Sequence, residues 1–172
     1  GYFAQLDGVI TTKVGYSNGQ TAETTYQQIK TTDHAEVIYL KYDNSVLPLN
    51  SVLRYYFRII DPVSINKQGG DRGRQYRTGI YYVDEETREE VVKFIEELQK
   101  NYTKKIAVEV EAVNNYIDAE EYHQKYLIKN PNGYCHIGKP LIYNLHKFKI
   151  IPEQYTESAK IIFSNYIENN TR

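Results

Sequence analysis

The sequence, 172 residues long, contains no methionine, no tryptophan and only one cysteine, Cys135. A lone cysteine excludes an internal disulfide framework and points to a reducing compartment, hence to the cytoplasm. No apolar run approaches the roughly 20 residues that span a bilayer, and no stretch is patterned as a signal peptide. Net charge is nearly absent as well, because 21 basic and 22 acidic side chains leave −1 at neutral pH. Without a sustained positive field, neither nucleic acid nor an anionic membrane is an expected partner. The missing methionine fits an AT-rich coding bias, as do the 18 tyrosines.

What remains is ordinary for one soluble globular domain: 41% hydrophobic and 25% charged residues, in a chain long enough to bury a core. Residues 8–16 are β-branched and run into a Ser-Asn-Gly turn, which predicts a strand. Residues 34–42 hardly alternate and predict a strand buried on both faces. Ser51 is placed to cap a helix with an apolar stripe of Val52, Leu53, Tyr56, Phe57 and Ile60, ended by Asp61-Pro62. A polar loop over 66–74 leads to a strand at 78–83. Asp84 then caps a helix with acidic residues in its first turn and Val91, Phe94, Ile95 and Leu98 on one side. Residues 104–113 alternate cleanly and predict a half-exposed strand. Asp118 and Glu121 have capping-box spacing for a helix through Ile128, stopped by Asn130-Pro131-Asn132-Gly133. Past Ile137 the periodicity is lost, apart from a modest helix predicted over 156–166. Strands alternating with helices indicate an α+β or α/β domain with helices packed on a sheet.

Three clusters are chemically notable. Asp33-His34-Ala35-Glu36 sits at the mouth of a strand, where a partly buried carboxyl can keep its proton near neutral pH. The same pattern also suits a surface pair at a strand end. QGGDRGRQYR at 68–77 gathers Asp71, Arg74, Tyr76 and Arg77 on a glycine-bearing loop, either a solvated turn or a site held by flanking elements. It lacks the Gly-Lys-Ser/Thr ending of a phosphate loop. EEYHQKYLIKNPNGYCHI at 120–137 joins His123 and Tyr126 to a turn bearing Cys135, whose neighbour His136 can favour a thiolate. Cys135 is equally compatible with a buried hydrophobe. Gly79-Ile80-Tyr81 resembles the opening of GIY-YIG nucleases, but no Tyr-Ile-Gly strand follows. His34, Glu36, His123, Cys135 and His136 are metal-ligand types without a zinc spacing beyond the adjacent Cys-His pair, so no metal or other cofactor is expected.

Taken in order, GYFAQLDGV, VGYSNG, TTYQQI, HAEV, YYFRIIDPVSINKQGGDRGRQYRTGIYY and DAEEYHQKYLIKNPNGYCHI resemble the A-type peptide-methionine sulfoxide reductases. The resemblance runs from Gly1 to about Ile137. It implies an α+β fold, a two-layer α/β sandwich with helices packed on a ferredoxin-like mixed sheet. It implies thiol-dependent reduction of methionine S-sulfoxide, with thioredoxin as reductant and oxidised proteins or free methionine sulfoxide as substrate. Carried over by motif, Glu36 is the general acid, and Tyr26 and Tyr76 hold the sulfoxide oxygen. Asp71 orders the site, His123 and Tyr126 line it, and Cys135 is the resolving cysteine, which condenses with the sulfenic acid left on the attacking cysteine.

Two departures accompany the resemblance. The family's Gly-Cys-Phe-Trp hallmark, with the attacking cysteine and the methyl pocket, is absent, as is the strand before it. The stretch between Tyr26 and Glu36 is also shorter than in many relatives, with Lys30 and Asp33 where some carry Cys and Gly. The expectation is an N-terminally incomplete reductase domain over 1–137, inactive alone, followed by an extension or linker over 138–172. The alternative is a non-catalytic relative that binds thioredoxin-like or methionine-rich partners.

Overall fold

Strand β1 (Val9–Ser17) is the centre of an antiparallel sheet, and its β-branched residues suit the pleated backbone. The computed structural model describes residues 1–148 and 150. After β1 the chain makes a short helix, α1 (Ile29–Thr32), and returns as β2 (Ala35–Tyr42). The β1–β2 register runs from Val9 opposite Tyr42 to Ser17 opposite Ala35, with a bulge between Val9 and Thr11. β7 (Ile117–Asp118) pairs with the other side of β1, opposite Gly15 and Tyr16.

β2 is therefore an edge strand in this sheet rather than one covered on both faces. Ile38 and Tyr39 are 49% and 43% exposed. Its weak alternation reflects apolar residues left on the solvent side, which a sequence pattern does not distinguish from double burial.

Helix α2 (Leu49–Phe57) begins directly after Pro48, two residues before Ser51. Ser51 lies inside the helix and is buried, while Asn44 Oδ1 accepts the Leu49 N–H at 3.0 Å and serves the free helix end. The helix stops at Phe57, ahead of Asp61-Pro62. The expected loop at 66–74 folds as a two-residue ladder, β3 (Lys67–Gln68) with β4 (Asp71–Arg72), followed by a single 3₁₀ turn at Arg74–Tyr76.

β5 (Gly79–Tyr82) and β6 (Glu109–Ala112) are parallel, a pairing that needs a crossover, and helix α3 (Glu85–Gln99) supplies it. As expected, Asp84 caps α3, its Oδ1 accepting the Thr87 N–H at 2.7 Å. Val91, Phe94 and Leu98 face inward, and Phe94 stacks on Phe57 of α2 at 5.4 Å between centroids. Ile106 and Val108 close this core from the sheet side.

The ladders are joined at Asn18, whose backbone N–H donates to Asn114 at 2.7 Å and whose side chain donates to Ala112 at 2.9 Å. Antiparallel and parallel pairings thus coexist, with helices packed on them, giving the α+β architecture.

The helix expected over 118–128 does not form. Asp118 belongs to β7, and its carboxylate takes hydrogen bonds from Tyr116 (2.7 Å) and Lys13 (2.9 Å) instead of capping a helix. Turns follow, Lys125 adopts a left-handed φ of 53°, and only α4 (Tyr126–Lys129) is helical. After the Asn130–Gly133 turn the chain continues through α5 (Lys139–Tyr143), and Ile142 and Leu145 enter the same core as Phe57 and Phe94. The helix expected over 156–166 lies outside the described residues. Among the described residues no helix is long and apolar enough to cross a membrane.

Candidate active site

The floor of the site is the β1–β2 register, which sets Tyr16 opposite Glu36. Tyr16 is buried, and its hydroxyl donates to Glu120 Oε2 at 2.6 Å. The other oxygen of Glu120 accepts the Tyr26 backbone N–H at 2.8 Å. One carboxylate, entering just after β7, thus ties the sheet to the turn that carries Tyr26. Burial pushes the Glu120 carboxyl up, but the hydrogen bonds from Tyr16 and Tyr26 outweigh it and hold the group below its ordinary range.

Glu36 is fixed at the head of β2 by its neighbours in sequence. His34 is fully buried and its Nδ1 lies 2.8 Å from Thr32 Oγ1. Gly19 presses against the imidazole so closely that any Cβ there would overlap it, which makes glycine the fitting residue. Glu36 itself is half-buried, and burial together with the nearby Asp71 charge pushes its carboxyl up to about 7. Near neutral pH it is divided between acid and carboxylate, as a proton donor requires.

Asp71 comes from β4, across the Gly69–Gly70 turn. Gly69 has φ 57°, and a Cβ there would meet His136 Cβ at 3.3 Å, so the hairpin closes tightly on the segment of Cys135. His136 Nδ1 stands 3.7 Å from Asp71 Oδ2. Burial lowers the pKa of His136 and the Asp71 charge opposes it only partly.

Tyr76 ends the 3₁₀ turn, with Tyr26 among its neighbours. Burial, then the surrounding Glu36, Tyr26 and Asp71, push the Tyr76 phenol up to about 12, so it is a hydrogen-bond donor at physiological pH. Tyr26 is 41% exposed, with its ring 4.7 Å from that of His123. His123 also packs against Tyr122 at 4.2 Å, and its Nε2 is buried with no hydrogen-bond partner among the described residues.

Glu36, Asp71, Tyr76, Tyr26 and His123 therefore form one cluster. Cys135 is half-buried against the main core, and its neighbour His136 faces Asp71 at the edge of the cluster. Tyr126 has its ring over Gly133, where a Cβ would come within 2.6 Å of Cε1. Sequence reasoning missed Tyr16 and Glu120, the pair that supports Tyr26. The available signal is the acidic run at 118–121, whose spacing reads as helix capping.

The peptide methionine sulfoxide reductase family matches residues 1–154. The chain is 56% identical over 140 residues to the peptide methionine sulfoxide reductase MsrA of Lachnoclostridium phytofermentans, covering 80% of this chain and 84% of that protein. It is 54% identical over 138 residues to MsrA of Clostridium perfringens, covering 79% and 88%. Among solved structures, reduced Mxr1 of Saccharomyces cerevisiae superposes with TM-score 0.72 at 39% identity, covering 80% of this chain and 78% of that one. Methionine sulfoxide reductase A of Corynebacterium diphtheriae gives 0.73 at 29% identity, covering 77% and 69%.

Fold and relatives together define a thiol-dependent oxidoreductase domain. The chain belongs to the peptide methionine sulfoxide reductase family, whose A-type reaction is the reduction of methionine S-sulfoxide to methionine.

Proposed function

We propose that Glu36, Tyr26, Tyr76 and Asp71 bind and protonate the sulfoxide oxygen of oxidised methionine. The observation that carries this reading is a carboxyl poised near pH 7 in one cluster with the Tyr76 and Tyr26 phenols. The hydroxyls of Tyr26 and Tyr76 donate to the sulfoxide oxygen, and Glu36 supplies its proton as a thiolate attacks sulfur. In the protonated adduct the new S–S bond and the S–O bond to methionine then break as the hydroxyl passes to the cysteine sulfur, so methionine leaves as the thioether and the attacking cysteine is left as sulfenic acid. Asp71 keeps Glu36 protonated and orders the hairpin; His123 lines the pocket. We assign Tyr126 to its outer wall. Cys135 condenses with the sulfenic acid, releasing water and leaving a disulfide that thioredoxin reduces. Free and protein-bound methionine sulfoxide are the substrates, the cytoplasm is the setting, and neither nucleic acid nor a membrane takes part.

The attacking thiol has no counterpart in this sequence, which holds Cys135 alone. A second reading is a chain that binds methionine-rich or thioredoxin-like partners without turnover. Titration with N-acetyl-methionine-S-sulfoxide methylamide, followed by NMR, tests the site directly. The expected result is saturable perturbation of the Tyr26 and Tyr76 rings, weakened about tenfold by Tyr76→Phe. Equal binding of the thioether would overturn the sulfoxide site. Joining a Gly-Cys-Phe-Trp segment upstream separates the two readings. Thioredoxin-dependent turnover, lost in Glu36→Gln, supports the reductase, whereas binding without turnover supports the binding module.

A further inference from the structure

Asp33 closes α1 in a left-handed conformation, φ 58°, which glycine adopts at no steric cost and most other residues avoid. Its side chain is fully engaged. Arg74 grips the carboxylate at both oxygens, Nε to Oδ1 at 2.6 Å and Nη2 to Oδ2 at 2.9 Å. Behind it lies Arg77, only 6% exposed, with Nη1 3.9 Å from the same carboxylate. Arg77 also donates to Glu109 Oε2 at 3.1 Å, to the Arg74 carbonyl at 2.9 Å and to the Asn18 carbonyl at 3.0 Å. One buried guanidinium thus joins the end of β1, the turn at Arg74–Tyr76 and the start of β6.

The placement gives this network its meaning. Tyr76 lies between Arg74 and Arg77 in sequence, and Glu36 follows Asp33 by three residues, just beyond the buried His34. The turn bearing the phenol and the strand bearing the carboxyl therefore share a two-point bridge. Half-exposed ion pairs add little to stability, but a bidentate arginine fork fixes direction.

We propose that Asp33 is a positioning residue of the reductase site: gripped by Arg74 and backed by Arg77, it holds the Tyr76 turn over Glu36. The inference rests on the roles proposed above for Glu36 and Tyr76. The ionisable groups that act on Glu36 or are acted on by it come from three sides: Asp71 on β4, Tyr76 on the turn and Tyr16 on β1. Covering by the Tyr76 turn is what the Asp33 bridge maintains.

The test is the Glu36 titration, followed by carboxyl ¹³C NMR on the unliganded chain in the parent, Asp33→Gly and Arg74→Ala. Glycine suits the left-handed position, so Asp33→Gly removes the bridge without a backbone penalty, and Arg74 is mostly exposed. If Asp33 positions the turn, both substitutions let water reach Glu36, and its midpoint drops from about 7 by about one pH unit in each. A through-space charge effect gives opposite signs instead, because one variant loses a negative charge and the other a positive one. Opposite shifts, or an unchanged midpoint with only the thermal transition lowered, would overturn the proposal. The readout needs no ligand, so failure of the parent chain to bind sulfoxide would count against the proposed function and not against the bridge.

Discussion

Glu36 holds its proton at a pH where a free glutamate has lost it, and this costs stability as well as serving chemistry. Its carboxyl is raised from 4.5 to about 7 by burial and the Asp71 charge, so the folded state binds the proton more tightly than the unfolded one. The sign follows. Below about pH 4.5 both states are protonated and the side chain costs nothing; as pH rises towards 7 and beyond, the folded protein must hold a desolvated charge. Glu36→Gln should therefore stabilise the chain at pH 8 by on the order of 2 kcal/mol, allowing for partial exposure, and by almost nothing at pH 4. Urea unfolding at the two pH values checks this, and an equal difference at both would rule out the raised carboxyl. The gain would come with loss of the acid proposed for the sulfoxide oxygen, a stability–function conflict of the kind found at reactive sites.

Elements with one strong period were legible in the sequence, and those decided by distant pairing were not. The stripe on α3 and its Asp84 cap are local patterns, and both stand as expected. Phe94 meets Phe57 at the joint between α3 and α2, so Phe94→Ala should cost about 3–5 kcal/mol, read as a lower urea midpoint. A cost under 1 kcal/mol would mean that the stacked pair is not part of the core. By contrast, Asp118 and Glu121 have capping-box spacing yet lie in a strand and a turn, because pairing of Ile117 and Asp118 with β1 outweighs local helix signals. The site divides in the same way. Motif resemblance singled out Tyr26, Glu36, Asp71 and Tyr76, which the fold gathers from separate segments. Tyr16 and Glu120 lie inside the matched segments VGYSNG and DAEEYHQ, but nothing in those segments pairs them, and their partnership exists only once β7 lies beside β1.

At the scale of the whole molecule, the loss of periodicity after Ile137 does not coincide with the edge of the core. Ile142 and Leu145 are 4% and 2% exposed and pack with the residues of α2 and α3. Arg58, next to the end of α2, lies 4.3 Å from the Phe148 ring and donates to the Leu141 carbonyl at 3.4 Å. The Tyr55 hydroxyl donates to the Phe148 carbonyl at 3.2 Å. The opening turn reaches the same helix, for the Tyr2 hydroxyl donates to the Tyr55 carbonyl at 3.0 Å. Residues from both ends of the described chain therefore cover α2, and the tail is irregular in pattern because it is shaped to a surface already made. If it is integral, Leu145→Ala should destabilise the whole domain by about 2–5 kcal/mol, as for any buried leucine, within a single cooperative transition seen alike by tyrosine fluorescence and far-ultraviolet circular dichroism. A tail that merely leans on the domain would lose its own structure first, leaving the main transition at the parent's urea midpoint; that result would return the boundary to Ile137.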